Sequence, residues 1–191
     1  MLIGAEEITG LILAGGQGRR VDENDKGMLH YKNKPMIAYQ VDWMCRQVDQ
    51  VMISANRNLS DYLSYGFPVL IDAVANFPGP LAGIMKGLEQ SSTEWVFVHP
   101  VDMPLMPEDT IHQLCASIAQ KKSAYYLKSS ERSHFLSLLI SKSTCQDLVH
   151  FLGRGERRVR DFLKIIDAQP VNPGISEKCF ANFNYLADYS N

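Results

Sequence analysis

Short apolar runs separated by stretches of helical periodicity constrain this chain more than any other feature. The runs are Gly10–Leu13, Gln50–Ser54, Val69–Asp72 and Trp95–His99. The first gap holds Pro35, a residue suited to a first helical turn, followed by Ile37, Val41, Met44 and Val48 at helical spacing. Later gaps predict a short helix over Ser60–Tyr65, stopped by Gly66, and a helix opened by Pro80 with Leu81, Ile84, Met85 and Leu88 on one face. Another is opened by Pro107, with Ile111, Leu114, Cys115 and Ile118 inward. Strands that alternate with helices require crossover connections. The expected class is therefore α/β, a three-layer α/β/α sandwich with a mostly parallel sheet and helices on both faces. Ala124–Lys128 and Phe135–Ile140 read as two strands with a polar turn between them, an interruption that admits antiparallel pairing. Helices near Thr144–Phe151 and Arg157–Leu163 and a strand near Ile165–Gln169 complete the pattern. At 191 residues, with no repeat, low-complexity tract or linker, a single domain over 1–191 is expected.

Open α/β sheets bind ligands at the carboxyl ends of their strands. Each of the four runs is followed there by residues able to hold one: Ala14-Gly15-Gly16, Asn56-Arg57, Asp72 and Asp102. The first is the richest. Gly15, Gly16 and Gly18 bare backbone N–H groups, and Arg19, Arg20 and Lys26 follow closely, an arrangement suited to a polyphosphate. It is not a Walker A loop, and Val21 stands where a dinucleotide fingerprint needs glycine. A plain strand-to-helix turn is the competing reading. Asp102 lies between a strand and Pro104, where one carboxylate suits magnesium that is otherwise held by water and phosphates; a turn or helix-cap aspartate is the alternative. The histidines show no metal-ligand spacing, and no Ser-His-Asp or Cys-His constellation can be argued.

Composition narrows the function classes. Nineteen basic residues against 21 acidic ones give a net charge of −2, which disfavours nucleic acid and acidic membranes as partners. No apolar run reaches membrane-spanning length, and Glu6 and Glu7 stand where a secretion signal carries positive charge. Four scattered cysteines, Cys45, Cys115, Cys145 and Cys179, read as free thiols in a reducing cytoplasm.

The sequence Leu13-Ala14-Gly15-Gly16-x-x-x-Arg20 with Asp25-Lys26-Gly27 resembles the signature of Rossmann-like nucleotidyltransferases, the nucleotide-diphospho-sugar-transferase type of fold. Further segments resemble the molybdenum cofactor guanylyltransferase (MobA) family. They are Ser54-Ala55-Asn56-Arg57, Asp72, Phe77-Pro78-Gly79-Pro80-Leu81-Ala82-Gly83, Pro100-Val101-Asp102-Met103-Pro104, Gly155-Glu156-Arg157-Arg158-Val159 and Asn182-Phe183-Asn184. The resemblance implies transfer of GMP from GTP to molybdenum-bearing molybdopterin with release of pyrophosphate and Mg2+ as cofactor. It implies a nucleotide-binding half near 1–105 and an acceptor-binding half near 106–191. It assigns Lys26, Asp102 and Arg20 to catalysis, and Leu13, Ala14, Gly15, Gly16, Lys26, Ser54, Asp72 and Asp102 to GTP. Asp102 is its metal ligand, and Arg157, Arg158, Asn182 and Asn184 are its acceptor candidates. Proteins of cofactor synthesis or molybdoenzyme maturation are its expected partners.

The chain departs from the family pattern in places. Val21-Asp22 replaces a Met-Gly, Ser54 stands where asparagine is frequent, and Ser133-His134-Phe135 lacks a His-Pro. A cytidylyl- or sugar-phosphate nucleotidyltransferase of the same fold is the rival enzyme, and a non-catalytic nucleotide-binding cofactor carrier is the rival from another class.

Overall fold

The computed structural model describes residues 3–15, 25–71 and 79–183. In chain order its elements are β1 (Ile8–Leu13), β2 (His30–Tyr31), β3 (Lys34–Pro35), α1 (Met36–Met44), β4 (Gln50–Ser54), α2 (Leu59–Leu63), β5 (Val69–Leu70), α3 (Pro80–Gln90) and β6 (Trp95–Pro100). Then come α4 (Thr110–Ala116), β7 (Ala124–Lys128), β8 (Ser133–Ser141), α5 (Cys145–Gly153), α6 (Val159–Ile165) and β9 (Gln169–Val171).

Seven strands form one sheet in the order β5-β4-β1-β6-β8-β7-β9. All pairings are parallel except the two made by β8, which runs against β6 on one side and β7 on the other. Of the strand pair read from sequence, β8 alone is reversed, and β7 runs with the rest of a mostly parallel sheet. Side chains alternate across the pleat. Ile8 and Ile12 of β1, with Trp95 and Phe97 of β6, pack under α1, α2 and α4 through Met36, Ile37, Val41, Met44, Tyr62, Ile111 and Leu114. Leu11, Val96 and Val98 face the other way, toward Leu81, Ile84 and Leu88 of α3, Leu148 and Phe151 of α5, and Phe162 of α6. Each fully buried aliphatic or aromatic side chain contributes about 1.5–3 kcal/mol, so both layers are firmly seated. Among the described residues no helix is long and apolar enough to cross a membrane.

Three boundaries differ from the sequence reading for local reasons. The strand β1 begins at Ile8 because polar Thr9 is buried and satisfied there, its hydroxyl 2.7 Å from that of Thr93 and 3.1 Å from that of Ser91. Helix α4 opens at Thr110 and not Pro107: the Pro107 carbonyl accepts from both the N–H and the hydroxyl of Thr110, at 3.3 and 2.8 Å. The last strand begins at Gln169, not Ile165. Helix α6 runs through Ile165 and closes when the Ala168 N–H returns to the Leu163 carbonyl (2.9 Å), with Asp167 left-handed at φ 50°. A further hairpin, β2–β3, has a two-residue loop, Lys32-Asn33, with φ of 45° and 63°.

Candidate active site

The carboxyl ends of β4, β1 and β6 lie side by side. The Ala14 N–H donates to the Ser54 carbonyl at 2.9 Å, and the Val101 N–H to the Leu13 carbonyl at 3.0 Å. Leu13, Ala14 and Gly15 therefore run along the edge where the three strands stop, with Gly15 exposed. The first turn of α3 presses onto this edge. A Cβ on Gly83 would meet Ser54 Oγ at 2.5 Å and Leu13 Cδ2 at 3.1 Å, so the missing side chain allows this close approach. Ser54 itself is buried, its hydroxyl beneath Gly83. The N-terminal turn of α3, opened by Pro80, therefore lies against the strand ends.

Lys26 and Asp102, 76 residues apart, meet here: Lys26 Nζ is 2.8 Å from Asp102 Oδ2, with side-chain exposures of 20% and 16%. Lys26 is held by its neighbour Asp25, which the sequence reading did not single out. Buried Asp25 caps the turn Lys26–Met28: its Oδ1 accepts the Gly27 N–H (3.1 Å) and the Tyr62 hydroxyl (2.6 Å). Its Oδ2 accepts Asn58 Nδ2 (3.0 Å) and lies 3.7 Å from Arg57 Nε. A carboxylate so fully engaged is an anchor and not a reagent. Burial first, then the bond to Asp25, pushes the Tyr62 phenol well above its ordinary range, so it stays a neutral donor. The Asp-x-Gly spacing was the one sequence trace of this turn.

The loop carrying Asp102 is pinned at three successive residues. The Val101 N–H holds Leu13, as above. The Asp102 carbonyl accepts the Phe183 N–H at 2.9 Å. The Met103 carbonyl accepts Gln40 Nε2 at 2.7 Å and lies 3.3 Å from His99 Nε2. A carbonyl only accepts, so His99 carries its proton on Nε2. Its Nδ1 then accepts from the Ser137 hydroxyl at 3.1 Å. Complete burial pushes the His99 pKa down to about 4; the Met103 bond opposes the shift and His134 adds to it. His99 is therefore a neutral structural group.

Other site candidates lie less centrally. Asn182 is exposed and directly precedes Phe183, which is tied to Asp102 and packs edge-on against Tyr31 at 4.8 Å. His134 stacks on Phe180 at 3.7 Å beside Glu177, fastening this C-terminal segment to β8. Arg157 is half-buried and donates to the carbonyls of Leu152 (2.8 Å) and Glu156 (2.6 Å), closing the end of α5, whereas Arg158 is exposed. Gly16, Arg20, Asp72 and Asn184 lie outside the described residues, as do Gly18, Arg19, Val21, Asp22, Phe77 and Pro78. Among the described residues no group of three or more His, Cys, Asp or Glu is placed to hold a metal. Asp102 nonetheless fits a hard cation that takes its remaining ligands from phosphate and water.

This strand order, with its ligand edge between β4, β1 and β6, is the fold of nucleotidyltransferases. The structure superposes on molybdopterin-guanine dinucleotide biosynthesis protein A of Archaeoglobus fulgidus with a TM-score of 0.77, at 19% identity over 95% of this chain and 94% of that one. It also superposes on the 4-diphosphocytidyl-2C-methyl-D-erythritol synthase of Anaerococcus prevotii with a TM-score of 0.70, at 12% identity over 97% and 95% of the two chains. The fold alone therefore does not select the base. In sequence, a family model described as the MobA-like NTP transferase domain matches residues 10–171. A molybdenum cofactor guanylyltransferase of Yersinia pseudotuberculosis is 40% identical over 181 residues, 95% of this chain and 92% of the relative. The chain belongs to the MobA-like family of molybdenum cofactor guanylyltransferases, and it is a nucleotidyltransferase.

Proposed function

We propose that this enzyme transfers GMP from GTP to molybdenum-bearing molybdopterin, forming the guanine dinucleotide of the cofactor. The reading rests on the family and, in the structure, on one observation above all: the Lys26–Asp102 pair, 2.8 Å apart, at the strand ends beside Leu13–Gly15. A terminal phosphate oxygen of the pterin attacks the α-phosphorus. A new P–O bond forms, the α–β anhydride bond breaks, and pyrophosphate leaves. The nucleophile is anionic at neutral pH, so the chain needs no strong base; it positions the reactants and neutralises charge. Main-chain groups of Leu13, Ala14 and Gly15 hold base and ribose, with Ser54 supporting them from below. Lys26 takes the triphosphate, assisted by Gly16 and Arg20, while Asp72 steadies the nucleotide.

Asp102 is the residue that would hold Mg2+, whose charge would offset the charge building on the α-phosphate and pyrophosphate. Arg158, Arg157, Asn182 and Asn184 form the acceptor side in the half from about 106 to 191. The exposed Arg158 is better placed for a phosphate than Arg157, whose guanidinium already serves two carbonyls. All four cysteines are free thiols, in keeping with a place in the cytoplasm beside cofactor-synthesis and molybdoenzyme-maturation proteins.

Thermal shift distinguishes this from the cytidylyl alternative. GTP at 100 times its Kd should stabilise by about 2.7 kcal/mol. For a chain of this length that is about 5–10 °C, strengthened by Mg2+. A larger shift with CTP would overturn the guanylyl assignment.

A further inference from the structure

The Met103 carbonyl, next to Asp102, is held by side chains. Two side chains from different elements converge on it, Gln40 of α1 at 2.7 Å and His99 of β6 at 3.3 Å, and His99 is braced in turn by Ser137 of β8. Met103 follows Asp102 directly, and its own side chain is buried. Gln40 is 1% exposed, and its Oε1 has no hydrogen-bond partner among the described residues. A buried unpaired amide oxygen is destabilising, and an apolar side chain of similar length would avoid it. Packing therefore does not explain a glutamine at this position; its donor does.

We propose that Gln40 and His99 are positioning residues that set the Asp102 carboxylate for its metal through the Met103 carbonyl. With the Val101 N–H on Leu13 and the Phe183 N–H on the Asp102 carbonyl, the clamp leaves the main chain on both sides of Asp102 without freedom to turn. The carboxylate then meets cation and Lys26 in one fixed orientation. The inference rests on the assignment of Asp102 as metal ligand. Groups that orient a ligand from behind are typically worth about 10–100-fold in metal affinity.

The test measures Mn2+ binding by the electron paramagnetic resonance of free ion, on the full chain with a GTP analogue whose α–β bridge is methylene. Thermal stability is followed alongside. Asp102→Asn should weaken Mn2+ binding and serves as the control for the underlying assignment. Gln40→Met should weaken it about tenfold or more while its melting temperature stays at or above that of the parent. His99→Phe should weaken binding likewise, and His99→Gln, which keeps a donor of similar reach, should restore most of it. If Asp102→Asn binds Mn2+ as the parent does, the assignment of Asp102 falls and the clamp falls with it. If Asp102→Asn is impaired but Gln40→Met binds normally, the clamp alone is wrong. If Gln40→Met loses melting temperature and Mn2+ binding together, Gln40 is merely structural and the proposal is overturned.

Discussion

Replacing Gly27 with alanine should damage both the stability of this protein and its hold on nucleotide. The backbone there is ordinary; space is the constraint. A Cβ at Gly27 would fall under 3.0 Å from the Tyr62 hydroxyl oxygen and 3.1 and 3.2 Å from Cζ and Cε1 of the ring. Tyr62 is fully buried and cannot swing away, and its hydroxyl is held by Asp25 at 2.6 Å. Overpacking of this kind is destabilising by about 1–3 kcal/mol. Expelling the hydroxyl also breaks a bond to a charged group, about 1.5–3 kcal/mol more. The total, about 2.5–6 kcal/mol, corresponds to a fall of about 5–24 °C in melting temperature for a chain of this size. Lys26 is the adjacent residue, so GTP affinity should fall too. Tyr62→Phe alone should lose only the bond to Asp25. In the double variant the offending oxygen is gone, and its stability should lie close to that of Tyr62→Phe. Urea unfolding of the four proteins gives the coupling, expected to be about as large as the loss in Gly27→Ala itself. Strictly additive losses, or a Gly27→Ala variant as stable as the parent, would show that Tyr62 and Asp25 do not fix the Lys26 turn.

The titration of His99 gives a pH signature. Its pKa is pushed from 6.5 to about 4 by burial, so the unfolded chain binds a proton that the folded one refuses; stability is full above about pH 6.5 and falls as pH drops toward 4. At roughly 1.4 kcal/mol per unit the loss is on the order of 3 kcal/mol, and His99→Gln should flatten that part of the urea-stability profile; an unchanged slope would assign it elsewhere. In the β2–β3 loop both central residues are left-handed, at φ 45° and 63°. The preferred pair there is Asn-Gly, so Lys32→Asn with Asn33→Gly should raise stability by about 1 kcal/mol, and a lower melting temperature would contradict the turn geometry. Lys26→Met should raise the Kd for GTP, whereas Asp102→Asn should reduce turnover roughly 10²–10³-fold with the fold intact by circular dichroism; normal turnover in Asp102→Asn would remove it from the reaction.

Sequence pattern located nearly every layer-forming element, because β1, β4 and β6 are buried on both faces and read as short apolar runs, while their crossover helices bury one face at helical spacing. It failed where tertiary contacts decide. The apolar Ile165-Ile166 pointed to a strand near Ile165–Gln169, yet those residues close α6 and β9 pairs with β7 only at Gln169–Val171. The Lys32-Asn33 loop lacks the glycine that marks such turns, so the hairpin was invisible. Motif and strand-end position singled out Lys26 and Asp102, but their direct pairing spans 76 residues and is a property of the folded chain. The Asp-x-Gly spacing marks only the local turn at Asp25; its anchoring by Asn58 and Tyr62, 33 and 37 residues downstream, has no local pattern. The clamp of Gln40 and His99 on Met103 was equally hidden, since a glutamine on an otherwise apolar helix face looks like surface.

The two ends of the sheet carry a consequence for how this protein behaves in a crowded solution. An open sheet offers a row of unsatisfied main-chain groups along each outermost strand, onto which another chain can zip. Here those strands are only Val69–Leu70 on one side and Gln169–Val171 on the other, and the second contains Pro170, which has no N–H to give. The long, apolar strands that would aggregate most readily, β1, β6 and β8, are all interior. Lengthening either margin, or replacing Pro170 with valine, would supply the template that the native arrangement withholds and turn a sheet built for catalysis into a seed for association.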